Sequence, residues 1–546
     1  MKHLHRFSAS LHRPPSAAHR APGTAGPTHA PTFAVETRDH PSADELAARV
    51  RTALGEIDVE LEVRPIFDSR DEALSRHFTI AVAGADVDGS RADLLDLGYD
   101  LADAIGARSA AVLASPPRPD GAIASAGSSG SSGPGDDGPA TEPEWHLAAI
   151  RAERAWAHSR GAGVLIGQPD TGIADHHLLT DAVSRRTTCN LLERHQMPVD
   201  PLRRGDATWN PGHGTSTASV AASRGNAADR RIRGVAPEAI VLPVRCVESV
   251  ILIDRVGEQV AEGIRRAVDE GARVVSLSLG GVGLILMAHV HAAIKYGAER
   301  GVVFVAAAGN GLGSIGGPAT YPGFDYFCSC IAGSTVDDKG WAGSLGGPAV
   351  TVSAPAHKVW SAWREPGDDP NTATRRVGPG SGTTYATAIV GGVAALWIAR
   401  HGHDALVRHY GEPWKVTRGF QSLLRATARV PAGWNHGYYG AGIVDAAAVV
   451  EAPLAVGPAM AEVSADDAMR ANLRARLVDH GADAAVLARV DDGFLDRYGP
   501  ELAFHLALAE QRRMAPDAAP PPSPLSDHLR AALHAADAHA VVDAFT

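Results

Sequence analysis

The chain has 546 residues, too many for one small core, and its 45% apolar content is that of a folded protein. Asp and Glu outnumber Lys and Arg by 62 to 51, giving a net charge of −11 that excludes a broad nucleic-acid-binding surface. The four cysteines (Cys189, Cys246, Cys328 and Cys330) are too few for a disulfide framework, and Cys328-Ser-Cys330 lacks a zinc spacing.

Residues 1–32 are rich in Pro, Ala, Ser and His without an apolar period, which predicts a disordered arm. The opening "MKHLHRFSASLHRPPSAAHRAPG" has no apolar core and does not read as a secretory signal, so the expectation is a soluble protein, cytoplasmic or unconventionally exported. From 33 to 115 the pattern changes. "FAVE", "VELEVRPIF", "HFTIAVAG" and "SAAVLAS" read as strands, while "SADELAARVRTAL" and "SRADLLDLGYDLADAIG" read as helices. The order is β-α-β-β-α-β, the split arrangement of ferredoxin-like units. Residues 116–144 form a Gly/Ser/Pro linker, flexible and open to proteases.

A long α/β segment follows, from 145 to 455. Its expected strands are "GVLIGQ", "IVLPVR", "RVVSLSLG" and "VVFVAAAG", separated by helical patterns such as "VAEGIRRAVDEGA" and "MAHVHAAIKYGAERG". This alternation predicts a parallel sheet covered by helices on both faces. Two stretches without charged residues, 274–294 and 377–399, divide into a buried element, a turn and a helix rather than a membrane span. Residues 456–546 read as an Ala-rich helical region broken by "APDAAPPPSPLS", with no evident chemistry.

Several short motifs sit at strand ends or helix starts. Gly311, Gly313 and Gly316 fit G-x-G-x-x-G, but "GPATYPGFDY" follows and cannot open the helix that a dinucleotide site needs. Asp170 in "PDTG" ends a parallel strand; without a second copy of the loop it cannot form an aspartic-protease dyad. His213 lies between two glycines at a helix start, where it could act as a general base if a carboxylate held its other nitrogen. Asn310 follows a buried strand, where its amide could donate to an oxyanion. In "GPGSGTTYATAIVGG" four hydroxyls, Ser381, Thr383, Thr384 and Tyr385, crowd the start of a thin helix with unpaired N–H groups. Taken singly, His213, Asn310 and Thr384 read more readily as a satisfied histidine, a turn former and a helix cap.

Together they run Asp, His, Asn, hydroxyl, the chain order of subtilisin-like triads. With "SLSLGG" (276–281), "VSAPA" (352–356), "SGTTYATA" (381–388) and "GYYGAGIVDAAAVV" (437–450), the segment 145–450 resembles the subtilase family of serine peptidases. The resemblance implies a subtilisin-like three-layer α/β domain with a parallel sheet, preceded by a ferredoxin-like prodomain and followed by the helical tail. It implies Asp170 as orienting acid, His213 as base, Thr384 as nucleophile and Asn310 as oxyanion donor. It also implies substrate binding by Ser278, Leu279 and Gly280 on one side and Ala307, Ala308 and Gly309 on the other. The partners implied are a peptide or protein substrate and the chain's own prodomain as intramolecular inhibitor, with no nucleic acid and no membrane. No cofactor is expected, and no calcium-ligand motif stands out. The small apolar wall Ala306–Gly309 favours a bulky uncharged side chain before the cleaved bond.

The chain departs from the family pattern where that pattern has Gly-Thr-Ser and, further on, Ala-Thr-Pro. Here Thr384 stands at the nucleophile position and Ala388 replaces the proline. Losing proline is mild, because Ala is the better helix former. The Thr keeps its hydroxyl, but its methyl restricts χ1 and crowds the attack path. Two functions are therefore expected as alternatives: a slow endopeptidase made as a zymogen, or a pseudo-peptidase that binds peptides or a protein partner without cutting.

Overall fold

The strands of the larger sheet are short runs buried on both faces, and the structure, a computed structural model, has this six-stranded sheet, a separate four-stranded one and two two-stranded pairs. It describes residues 1–11, 32–55, 60–82, 90–113, 141–186, 189–193, 195–205, 209–225, 231–252, 256–281, 284–311, 319–454, 464–514 and 524–545. Most of the linker, Gly313 and Gly316 lie outside the described residues.

The first residues form a helix, α1 (Lys2–Leu11), which corrects the expectation of disorder for that part of the arm. Leu4 and Phe7 are one turn apart and both buried, and with Leu11 they make a narrow apolar stripe. Beyond it come β1 (Thr32–Thr37), α2 (Ala43–Ala53), β2 (Leu61–Pro65), β3 (His77–Val82), α3 (Arg91–Ile105) and β4 (Ala107–Leu113). Ser42 and Ser90 each begin a helix with a reciprocal capping box, to Glu45 and Asp93. The strands pair antiparallel in the order β2-β3-β1-β4, with Phe33, Val35, Ile80 and Val82 buried against Leu46, Val50, Leu97 and Leu101.

The larger sheet contains β5 (Leu165–Asp170), β6 (Ile240–Arg245), β7 (Val274–Leu277), β8 (Val303–Ala307), β9 (Cys328–Ser334) and β10 (Val350–Pro355). Its order is β10-β9-β8-β7-β5-β6 and every pairing is parallel. Strands β9 and β10 lay outside the expected set: "CSCIAGS" is mostly small residues, and the β-branched run of "VTVSAP" is only three residues long. Helices α4 (His213–Ala222) and α7 (Thr383–His401) lie against one another, and α5 (Gly257–Asp269) packs against α6 (Leu284–Ala298). The small residues of α7 let it sit close. A Cβ on Gly392 would come within 2.6 Å of the Val235 Cβ.

No described helix is long and apolar enough to cross a membrane. Residues 377–399 resolve into the strand Val377–Gly380, paired with Val359–Ala362, and the start of α7. The last four linker residues are anchored rather than loose. Thr141 donates its hydroxyl to the Lys358 carbonyl at 2.7 Å, and Glu144 accepts the Arg233 backbone N–H at 2.8 Å. After α8 (Trp414–Thr427), the C-terminal region contains α9 (Ala465–Asp479), α10 (Asp492–Met514) and α11 (Asp527–Ala535). The four cysteines are buried, and none is in a disulfide.

Candidate active site

Asp170 is the last residue of β5 and fully buried, opposite Arg245 at the end of β6. Its carboxylate faces the first residue of α4. The His213 Nδ1 lies 2.8 Å from Oδ1 and 3.0 Å from Oδ2, and Oδ1 also accepts the Thr171 N–H at 2.7 Å. An ionised carboxylate there fixes the His213 tautomer with the proton on Nδ1 and leaves Nε2 as an acceptor. Nε2 is buried and has no hydrogen-bond partner among the described residues.

The loops carrying this pair are bolted together. Thr171 Oγ1 accepts the Gly214 N–H at 3.2 Å, Thr215 Oγ1 accepts the Ala174 N–H at 2.9 Å, and Gln168 Nε2 donates to the Gly214 carbonyl at 2.8 Å. Gly214 has to be glycine. A Cβ there would sit 2.2 Å from the Gly172 carbonyl oxygen.

Two residues not anticipated from the sequence complete the support. Asp200 is buried and accepts three donors: the Thr171 hydroxyl at 2.6 Å and the N–H groups of Gly212 and Leu202, each at 2.8 Å. It thereby ties the Asp170 loop to the residue before His213. Burial pushes its carboxyl up to about 6, against the pull of these hydrogen bonds and of Arg245. Arg245, itself fully buried, donates to the Thr171 carbonyl at 2.7 Å and pairs with Glu248 at 2.6 Å. The signal available in the sequence was slight: an Asp-Pro after a short apolar run, and an Arg ending a buried strand.

The hydroxyl cluster at the start of α7 sorts itself by partner. Ser381 is exposed and accepts the Lys358 N–H at 3.0 Å. Thr383 donates its hydroxyl to Asn310 Oδ1 at 2.9 Å and accepts the Gly309 N–H at 3.2 Å. The Tyr385 ring is buried in the core, and its hydroxyl faces Ser216, one turn along α4 from His213. Thr384 is left, half-buried at the second position of the helix.

Asn310 accepts both the Thr383 N–H and hydroxyl on Oδ1, each at 2.9 Å. A backbone N–H can only donate, so this fixes the amide orientation and turns Nδ2 away. Where it points is marked by an absence. The position that a Cβ of Gly382 would occupy lies 2.9 Å from Thr384 Oγ1, 3.4 Å from Asn310 Nδ2 and 3.8 Å from the Thr384 N–H nitrogen. Gly382 is extended, with φ 166°, so the glycine here provides space rather than unusual backbone freedom. A hydroxyl and two donors thus converge on one small void at a helix N-terminus, the arrangement that suits attack on a carbonyl with its oxygen held by N–H groups.

The structure therefore joins Asp170 to His213, and Asn310 to the Thr383–Thr384 turn. Among the described residues, no hydrogen bond joins the halves through His213 Nε2. Of the expected substrate-strand residues, Ser278 donates its hydroxyl to the Thr384 carbonyl at 3.0 Å, so it holds the helix start. Leu279 is buried, and Gly280 pairs with Ile251. Ala307 and Ala308 are buried; the Ala308 and Gly309 N–H groups are spent on the Ile331 carbonyl and Thr383 Oγ1. Ala307–Gly309 can therefore offer a wall, while backbone N–H pairing from 308 and 309 is already used. As for metals, the one described group close enough to share an ion is His3, Asp96 and Asp527, far from this site in the fold. Both Asp96 oxygens there already accept backbone N–H groups.

The chain is 32% identical over 261 residues to thermitase of Thermoactinomyces vulgaris, a match covering 47% of this chain and 82% of thermitase. It is 29% identical over 336 residues to mycosin-4 of Mycobacterium tuberculosis, covering 55% and 67% of the two chains. Among solved structures, MycP1 from Mycobacterium smegmatis is 20% identical with a TM-score of 0.42, covering 60% of this chain and 90% of that one. The pattern of the subtilase family matches residues 161–442, which include the Asp170, His213, Asn310 and Thr384 motifs. The chain belongs to the subtilase family of serine endopeptidases.

Proposed function

We propose that the protein is an endopeptidase that uses Thr384 as its nucleophile. Thr384 Oγ1 attacks the peptide carbonyl carbon while His213 Nε2 takes the hydroxyl proton. Asp170 holds the resulting imidazolium, and Asn310 Nδ2 with the Thr384 N–H stabilises the oxyanion. The C–N bond then breaks, the amine leaves with the proton from His213, and a threonyl ester remains. Water, deprotonated by His213, hydrolyses that ester and regenerates the hydroxyl.

The observation that carries this reading is the convergence of Thr384 Oγ1 and Asn310 Nδ2 on the space left by Gly382, beside a complete Asp170–His213 pair. Residues 33–115 serve as a prodomain that occupies the cleft until the linker is cut. The substrate is a peptide or protein, with a bulky uncharged side chain against Ala306–Gly309.

One observation favours the second reading, a pseudo-peptidase that binds without cutting: His213 Nε2 makes no bond to the Thr384 hydroxyl. Hydrogen bonds between nucleophile and base are often long in empty sites and tighten with substrate, so the first reading stands. The mass of the purified full-length chain separates the two. A cut within 116–144 that disappears in Thr384→Ala identifies the peptidase. An intact chain that also ignores a fluorophosphonate probe identifies the binder.

A further inference from the structure

Helix α3 of the N-terminal unit carries Asp96, Tyr99, Asp100 and Asp103 on one side. In the fold this side is covered by both ends of the chain. Asp100 is buried; it pairs with the Met1 amine and accepts the His3 and Leu4 N–H groups at 2.7 and 3.1 Å, capping α1. One turn earlier, buried Asp96 accepts the Asp527 and His528 N–H groups at 2.8 and 2.9 Å, capping α11. The His528 ring reaches back to Asp100 at 3.0 Å. Two carboxylates one turn apart thus close the N-termini of helices from opposite ends of the chain, where the helix dipole favours negative charge.

The rest of the face matches. The Tyr99 hydroxyl donates to Glu501 at 2.9 Å, and the same carboxylate accepts the N–H and hydroxyl of Ser526, the α11 N-cap. Arg497 makes a two-pronged bond to Asp103 at 2.8 and 2.9 Å. Tyr99 and Leu95 pack into an apolar cluster with Leu477, Tyr498, Leu502 and Leu529. The C-terminal helices in turn grip the large domain: Ala465 and Ala503 pack against the cluster around α6, and Lys295 pairs with Asp466 at 2.6 Å. The N-terminal unit also touches that domain directly, through Ile66, Phe67 and Leu74 and through the Thr79 hydroxyl on Glu258 at 2.6 Å.

We propose that residues 464–545 are a docking module for the N-terminal unit, holding residues 1–113 on the large domain after the linker is broken, so that the processed protein is a two-chain complex. Its purpose rests on the zymogen reading above; the contact itself does not. Here the unit sits in a cradle with two walls, one built from α5 and α6 and the other from α9 to α11, and release requires parting from both. The buried polar groups make this second wall specific, because undocking would part Asp96 from the Asp527 and His528 N–H groups and Tyr99 from Glu501.

The test uses the full chain carrying Thr384→Ala and a recognition sequence for a specific protease inserted in residues 116–144. After cutting, the N-terminal fragment is expected to co-elute with the remainder on size exclusion at sub-micromolar concentration. Asp96→Asn, Tyr99→Phe and the surface change Arg497→Ala should each speed its dissociation about 10-fold or more, with uncut variants confirmed as folded by their thermal unfolding. Separation of the fragment from the otherwise unaltered cut chain would overturn the proposal, as would variants that leave its dissociation rate unchanged. The cut is made by an added protease. An inactive site leaves this test intact, and loss of the fragment leaves the peptidase reading intact.

Discussion

Replacing Thr384 by serine removes one methyl group and nothing else, so it isolates the feature that sets this site apart from the family pattern. The Thr384 hydroxyl now faces the void beside Gly382, 2.9 Å from where a Cβ would be, while His213 Nε2 has no partner among the described residues. To lose its proton as it attacks, the oxygen has to move toward Nε2. A threonine in a helix is confined to few χ1 wells, whereas serine samples its wells more freely. A misplacement of about 1 Å in a reacting group costs on the order of 10²-fold in rate, or about 2.7 kcal/mol. Thr384→Ser is therefore expected to raise kcat/KM by roughly 10- to 100-fold, mostly in kcat, since the methyl lies at the reacting centre. The assay compares the unaltered protein with its Thr384→Ser and Thr384→Ala variants, all prepared identically. It measures fluorogenic peptide hydrolysis, fluorophosphonate labelling and self-cleavage in the linker. Identical preparation cancels any block by the N-terminal unit. A serine variant no faster than the alanine variant in all three assays would refute the assignment of Thr384 as nucleophile.

Three further outcomes follow from the geometry. Gly382→Ala places a methyl in the void shared by Thr384 Oγ1 and Asn310 Nδ2 and should abolish activity in the Thr384→Ser background with the melting temperature nearly unchanged; retained activity would remove the void from the site. Asp200 is held at about 6 by burial, against an ordinary 3.8, so the folded state keeps a proton that the unfolded chain releases. Stability should fall as pH rises through that window, by about 3 kcal/mol from this group. Asp200→Asn should lose that slope in denaturant titrations while slowing the peptidase; a parallel slope would contradict it. His77 and His289 meet edge to face at 5.5 Å between the N-terminal unit and α6. Burial holds His77 at about 3, aided by Arg108, His291 and Arg76, and holds His289 well below 6.5. Their stabilisation is complete above pH 6.5 and is lost on acidification, by about 2 kcal/mol for His77 at pH 5. The cut N-terminal fragment should dissociate faster at pH 5 than at pH 7.5, and His77→Phe should flatten that dependence; identical pH profiles would rule it out.

What could be read from the sequence was whatever is local. The strand ending in Asp170, the glycine-flanked His213 and the thin helix after Thr384 each carry their signal within a dozen residues, and the fold places them as those signals suggest. The helix over residues 2–11 was missed because its apolar stripe is three residues wide and its cap, Asp100, lies 97 positions from His3. Asp96 and Asp100 belong to no local motif, since their partners come from the chain's two ends. Asp200 belongs to no motif; its importance arises only when Thr171 and Gly212 are brought to it. Strand β9 was hidden by small residues, which suit a crowded sheet interior but carry no β signature, and the β-branched run of β10 is only three residues long.

The main chain at Thr384 has little room to absorb its methyl. Ser278 Oγ donates to the Thr384 carbonyl at 3.0 Å, and the helix geometry aims the Ala388 N–H at the same oxygen. A proline at 388 would have no such N–H, so the exchange that looked harmless as helix propensity adds a tie to the Thr384 peptide. The preceding residue is fixed as firmly, with the Thr383 N–H and hydroxyl both on Asn310 and the Gly382 N–H on the Ala356 carbonyl at 2.8 Å. With the backbone held on both sides, χ1 is the freedom left to the side chain, and it sets where the hydroxyl points. The Asp170–His213 pair, Asn310 and the void keep their places whichever way it turns. The difference between a slow peptidase and a peptide binder therefore resides in one torsion angle, and Thr384→Ser acts on that torsion while leaving every other tie intact.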